Sequence, residues 1–354
     1  MWLGLLGLSC LGLTTHPAAP TPPLQNFIPG GSYALDFFNA NDAHFTSVGD
    51  PSSIYFSGAV PYEDPTNQRE LASICEKFKA NPYIAEDTVS CWYDAFQKSS
   101  AAGGADFYPQ LKAFLDADGK RFSNDIVLGA DGKIVASRFT GQHTKAAEST
   151  ERIAGMDSVR ADVGAVGGAF GRDARVYGFT YLNIEQFKAI KQEAIRNIGF
   201  ALLMIFVVIA LLMSKSPAGV VIVFLCIAAI VVEILGYLHF WGTSIDSVSV
   251  IMLVISLGLS VDYVTHLGHN FIMQGGSAAD KLVGSMSEMG TAVFNGAFST
   301  FLSILLLSAS SSYVFITMFK VLVLVTVLAL AHALVLLPLL LYAHAAFSQA
   351  KKAP

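Results

Sequence analysis

Charge is scarce in this chain of 354 residues, of which only 14% are Asp, Glu, Lys or Arg while 53% are hydrophobic. That balance argues against a soluble globular enzyme and places the chain among membrane proteins. No basic tract occurs, so nucleic acid is not an expected partner. No N-x-S/T sequon is present to mark a glycosylated surface. The signatures of hydrolytic chemistry are missing too: there is no H-E-x-x-H and no G-x-S-x-G. The apolar spans hold one aspartate, Asp262, where an intramembrane aspartyl protease needs two. Asp262, His266 and His269 resemble a facial metal set, but a di-metal site requires several such clusters. An enzyme is therefore not expected, nor any cofactor beyond a proton or sodium ion.

The charge that exists is unevenly placed. Residues 20 to 196 hold 17 of the 22 Lys and Arg and 22 of the 27 Asp and Glu. The middle of the chain reads as a soluble domain carrying the whole net charge of −5, and the C-terminal portion as membrane. Five segments are apolar over about the 20 residues that a bilayer core requires: 197–213, 218–239, 247–272, 290–310 and 318–345, giving a transmembrane domain over 197–346 and a tail over 347–354. The opening MWLGLLGLSCLGL is shorter and lacks a basic n-region. Residues 1–16 read as the end of a truncated transmembrane helix, with a signal peptide as the alternative, and an upstream portion is then expected. Lys215, Lys281, Lys351 and Lys352 fall on one side of the alternating spans and Lys320 alone on the other, so the first side is cytosolic. The domain over 17–196 is then extracytosolic, in the plasma membrane or an endomembrane. In such an oxidising compartment Cys75 and Cys91, the two cysteines of that domain, are expected to pair as a disulfide.

Within the domain, 53–60 reads as a strand, 67–80 as a helix, NDIVLGADGKIVASRF as a hairpin around 129–132, 145–166 as a helix and 174–182 as a last strand. The order β-α-β-β-α-β is the split βαβ, or ferredoxin-like, α+β arrangement, with additional helices between Asp87 and Leu115 as an insertion. IEQFKAIKQEAIRNIGF carries no breaker into the first full span, which predicts one continuous helix.

The functional signal lies in GLSVDYVTHLGHNF, residues 258–271, where a carboxylate and two imidazoles interrupt an apolar span. An ionisable group at a helix centre costs roughly 2.5–3.5 kcal/mol on insertion scales and marks a functional site by default. Asp262, His266 and His269 share one helix face, and Gly258 leaves that face thin enough for a neighbouring helix to approach. At about 1.5 Å per residue, Asp262 and His332 reach similar depths, with Asn295 and Ser299 near them. The set reads as a proton or sodium relay, with His269 nearer the interface. Glu233, about two turns from its helix end, is expected to reach water by snorkelling. Pro338 should free a carbonyl near Leu334 and kink the last span.

These residues resemble a family. Gly258, Ser260, Val261, Asp262, Tyr263 and His266 are similar to the tenth transmembrane helix of the Patched, Dispatched and Niemann-Pick type C group within the resistance-nodulation-division (RND) superfamily. AVFNGAFSTFLSILLL resembles the eleventh helix and LALAHALVLLPLLL the twelfth, with Ala333 where glycine is usual. Pro29, Ser32 and Tyr33 match the segment after the seventh. The resemblance covers essentially the whole chain. It implies twelve helices in two repeats, each with a large extracytosolic domain after its first helix, and it places this chain as the second, C-terminal repeat. The fold class expected is thus an α-helical polytopic RND half-bundle with an inserted ferredoxin-like domain. Asp262 and Tyr263 also resemble the Asp-Tyr relay pairs of mycobacterial lipid exporters, which implies a cation-coupling pair supported by His266; His332 joins that relay on its depth. The partner carboxylate of the fourth helix would lie in an N-terminal half-repeat, or an oligomer would supply it. The expected function is transport of a lipid, sterol or other hydrophobic cargo driven by a proton or sodium gradient; the alternative is a Patched-like receptor or sterol sensor without net transport.

Overall fold

The computed structural model describes residues 6–11, 27–45, 48–99, 106–146, 148–243 and 245–351. It divides into two compact units: Phe38–Lys188, and Met1–Phe37 together with Ala189–Pro354.

In the first unit, β1 (Pro51–Ser57), β2 (Ile126–Leu128), β3 (Ile134–Gln142) and β4 (Arg175–Tyr177) form one sheet in the order β2-β3-β1-β4. Each neighbouring pair is antiparallel, which is the strand arrangement of the split βαβ fold. After a helix α1 (Tyr33–His44), the domain's helices are α2 (Pro65–Ala80), α3 (Trp92–Lys98), α4 (Phe107–Asp116), α5 (Ser149–Gly164) and α6 (Gly168–Asp173). Local chemistry sets α2: the Asp64 carboxylate accepts the Thr66 amide, and Pro65 supplies a first-turn φ with no amide to satisfy. Its Leu71, Ile74, Cys75 and Phe78, spaced as one helical face, enter the core. There they join Ile54, Phe56, Trp92, Phe139 and Phe170, and Phe56 meets Phe139 and Phe170 edge-on at 5.1 and 5.5 Å. The Cys75–Cys91 disulfide forms as expected, tying α2 to the start of α3 across 16 residues. A loop of that length loses about 3 kcal/mol of unfolded-state entropy when closed.

The last strand is shorter than the expected 174–182. Only Arg175, Val176 and Tyr177 pair with β1; Gly178 turns the chain hard against the Pro51 carbonyl, with no room for a Cβ, and Tyr181 already opens a helix. That helix, α7 (Tyr181–Leu212), is unbroken, as the sequence predicts. Its first residue is held by a buried polar chain. His143 Nδ1 donates to the Tyr83 carbonyl at 3.0 Å, Nε2 accepts the Tyr181 hydroxyl at 2.7 Å, and the Tyr181 oxygen accepts from Ser52 at 2.8 Å. The neutral Nδ1–H tautomer of His143 satisfies every member. Burial lowers the His143 pKa and raises that of Tyr181, which keeps both neutral.

Among the described residues of the second unit, five helical segments are long and apolar enough to cross a membrane: Gln192–Leu212, Pro217–Phe240, Ser247–Met273, Ala278–Ala309 and Tyr313–Ala350. They correspond to the C-terminal part of α7, then α8 (Pro217–Phe240), α9 (Ser247–Met273), α10 with α11 (Ala278–Ser285, Thr291–Leu305) and α12 with α13 (Tyr313–Ala331, Leu337–Ala350). The fourth begins 12 residues before the expected 290, because Ser277 and Asp280 form a capping box that starts α10, and a π-turn at Met286–Gly290 carries the helix on. The core lies between α8, α9 and the last span, built from Val223, Ile227, Ile230, Leu253, Val264, Val325 and Ala329 among others. Two glycines permit close approach. A Cβ on Gly268 would stand 2.7 Å from a Val223 methyl, and one on Gly236 would meet the Ser9 backbone at 2.4 Å. Ser9, in the helical stretch 6–11, is fully buried; the rest of the 1–16 segment lies outside the described residues.

The interruption of the last span differs from a simple proline kink. A π-turn occupies His332–Leu336, where the Leu337 amide donates back to the His332 carbonyl. Pro338 follows in the first turn of α13, where its missing amide needs no partner within the helix.

Candidate functional site

The polar residues of the bundle fall into three environments. The first is the middle of α9. Val250, Leu253, Leu257, Ser260, Val264 and Leu267 turn inward, while Ile251, Ile255, Gly258, Asp262 and His266 are exposed along the opposite stripe. The 3.6-residue period therefore puts Asp262 on the outside of this bundle. Its carboxylate makes no hydrogen bond or ion pair with any described residue. His266 is exposed one turn on, His269 is half-buried, and a Cβ on Gly258 would find nothing within 4 Å. The thin face expected at Gly258 exists, but no helix of the described chain occupies it.

Tyr263 points the other way. It is buried, and its hydroxyl reaches Thr300 Oγ1 on α11 at 3.5 Å. Asp262 and Tyr263, adjacent in sequence, thus occupy different surroundings. Asn295 and Ser299 are exposed on α11. Ser299 and Thr300 both spend their hydroxyl hydrogens on the Gly296 carbonyl at 2.9 Å, a local bond that removes Ser299 as a donor elsewhere.

The second environment is internal. His332 and Glu233 are both fully buried, with His332 Nδ1 3.8 Å from Glu233 Oε2 and 2.9 Å from the Leu328 carbonyl. Glu233 does not snorkel. Gly219, Val223, Cys226, Ile230 and Glu233 recur at three- and four-residue steps, so Glu233 continues the buried stripe of α8. That spacing was readable in the sequence and would have corrected the expectation. Depth matched His332 to Asp262, but rotation about the helix axis separates them: His332 turns inward to Glu233 and Asp262 turns out.

The third environment was missed by motif reading. Asp246 caps α9: its carboxylate accepts the Ser249 amide at 2.8 Å while Ser249 Oγ accepts the Asp246 amide at 2.8 Å. The Tyr313 hydroxyl donates to the other carboxylate oxygen. On α12, Lys320 Nζ donates to the Trp241 carbonyl at 3.0 Å. The D-x-x-S spacing before an apolar run was the available signal.

No family model matches the chain. It is 27% identical over 325 residues to the Niemann-Pick type C1-related protein of Toxoplasma gondii, covering 90% of this chain and 27% of the relative. It is 31% identical over 234 residues to NPC intracellular cholesterol transporter 1 of Sus scrofa, covering 64% of this chain and 18% of the relative. Patched-related proteins match as well. The cryo-EM structure of the hedgehog release protein Disp from the water bear Hypsibius dujardini superimposes with a TM-score of 0.70 at 14% identity, over 97% of this chain and 48% of that one. The chain therefore spans less than a third of the length of the first two relatives and about half of the Disp chain, whose fold it shares over that stretch.

Proposed function

From a multi-pass membrane chain that belongs with the Niemann-Pick C1, Patched and Dispatched proteins of the RND superfamily, we propose one half of a transporter that moves a lipid or sterol. A proton or sodium gradient drives it through Asp262. The observation that carries this reading is the exposed stripe Gly258, Asp262 and His266 on a membrane-spanning helix, with the carboxylate unpaired by any described residue. A charge so placed costs free energy unless another surface or a cation meets it. Gly258 leaves room for a second helix at that level. In this reading an N-terminal half-repeat or a second copy supplies the facing group, and cation binding at Asp262 changes how the two halves pack. The sterol class rests on the similarity to NPC intracellular cholesterol transporter 1. Tyr263, next in sequence but turned toward α11, acts on Asp262 through the backbone of α9 rather than as a second ligand.

Labelled sterol flux in reconstituted vesicles, with and without an ion gradient, tests the proposal. The wild type should respond to the gradient and Asp262→Asn should not. Flux absent from the wild type would contradict transport and favour a Patched-like receptor.

A further inference from the structure

The transport reading leaves Glu233 and His332 unused, yet both are ionisable groups enclosed within the bundle. Both side chains are fully buried. Neither Glu233 carboxyl oxygen has a hydrogen-bond partner among the described residues, and the same holds for the Tyr237 hydroxyl one turn along α8. His332 opens a π-turn, a local widening that recurs at functional sites because it displaces a side chain from the regular helical ladder.

The arrangement constrains the proton count. Taken out of water, two titratable groups are tolerated only if the pair is neutral overall. That leaves a carboxylic acid beside a neutral imidazole, or a carboxylate beside an imidazolium. The ion pair needs a short charge-assisted hydrogen bond to offset desolvation. Here the Nδ1 hydrogen is directed at the Leu328 carbonyl at 2.9 Å, while Glu233 Oε2 stands at 3.8 Å from the same nitrogen, beyond hydrogen-bond length. A carboxylate in that position would lack any hydrogen bond.

Among the described residues, no other charged group bonds the Glu233 carboxyl. On α8 the titratable neighbours are Cys226 and Tyr237, both uncharged when protonated. On α9, Asp262 and His266 face outward and the Tyr263 hydroxyl is directed at Thr300. On the last span Lys320 is bonded to the Trp241 carbonyl and His344 is exposed.

We propose that Glu233 binds a proton in the interior of the bundle and holds it at neutral pH as a carboxylic acid beside a neutral His332, forming a proton site separate from Asp262. The ligand is a proton. Its release requires either that His332 take up the charge or that a cation enter from outside, so Glu233 exchanges only when the seam between α8 and the π-turn opens. The site does not depend on the role given to Asp262.

Infrared spectra of the full chain in lipid nanodiscs test this, read at the C=O stretch of a protonated carboxyl and its downshift in deuterated buffer. In neutral potassium buffer the wild type should show the band, Glu233→Gln should lose it, and Asp262→Asn should retain the Glu233 component. Glu233→Asp, which keeps the carboxyl, should retain a band at a shifted position and provides a readout should the glutamine variant not fold. A wild-type minus Glu233→Gln spectrum containing only carboxylate stretches would overturn the proposal. So would bleaching of the band when sodium replaces potassium, which would make the ligand a metal cation.

Discussion

Asp246 and Asp262 lie on the same helix, one at its start and one past its middle, and their surroundings are opposite. Asp246 is fully buried and saturated, taking the Ser249 amide on one oxygen and the Tyr313 hydroxyl on the other. Asp262 is exposed on the flank of the bundle and bonded to no described residue. A carboxylate kept for architecture has its lone pairs filled from its own chain. One that the chain leaves unmet must draw its worth from elsewhere, whether a cation, a partner surface, or both. Glu233 is a third case, enclosed and without hydrogen bonds, which is tolerable when the group is neutral.

The largest expected effect separates the two aspartates directly. Asp246→Ala leaves the Ser249 amide and Tyr313 hydroxyl without their shared acceptor and removes a helix cap, so it should cost about 3 kcal/mol, read as a fall in the thermal unfolding midpoint in detergent. Asp262→Ala should show no loss of thermal stability. Equal losses would make Asp262 architectural and end the contrast.

A smaller effect sharpens the same contrast with glycines. Gly268→Ala drives a methyl to 2.7 Å from Val223, an overpacking worth roughly 1–3 kcal/mol. Gly258→Ala meets nothing in this chain and should be neutral or slightly stabilising, since alanine is the better helix former by about 1 kcal/mol. If Gly258→Leu also leaves stability intact but abolishes the gradient response, the Gly258 face is where an external helix packs. Loss of stability comparable to Gly268→Ala would show that it is already occupied within the fold.

Several parts of this architecture were legible beforehand because they depend on pattern along the chain. Apolar length gave the five spans, alternation and turn residues gave the β-α-β-β-α-β order, and the compartment argument gave the Cys75–Cys91 bond. Helical period put Gly258, Asp262 and His266 on one face. The failures are rotational or cooperative. Depth counting fixes height along a helix but not azimuth, so His332 was matched to Asp262 rather than Glu233. The aromatic run after Tyr177 reads as strand, but Gly178 turns the chain against the Pro51 carbonyl, so only Arg175 to Tyr177 pair with Ser53 to Tyr55 of β1. Asp246 was overlooked because its D-x-x-S signal lies at the edge of the apolar run, ahead of the span itself.

The smallest effect concerns the soluble unit, where, as at Asp246, a buried polar chain is paired within the fold. The folded-state pKa of His143 is depressed by burial, so the unfolded state takes up the proton more readily. The stability this contributes is fully present above the unfolded value near 6.5 and is lost as pH falls through the folded one. Amide protection factors of the segment around Tyr181 in the full chain, corrected for the intrinsic pH dependence of exchange, should therefore fall on acidification below about pH 6.5, and His143→Gln should flatten that dependence. A pH-independent wild type would contradict the neutral-tautomer chain.

The central claim is that the unmet carboxylate of α9 couples this bundle to an ion gradient. Gradient-dependent sterol flux, measured for Asp262→Asn and wild type in matched vesicles at equal protein incorporation, tests it most directly. The account predicts that the variant keeps the wild-type thermal midpoint and loses the gradient-dependent component; an unchanged gradient-dependent component would contradict it.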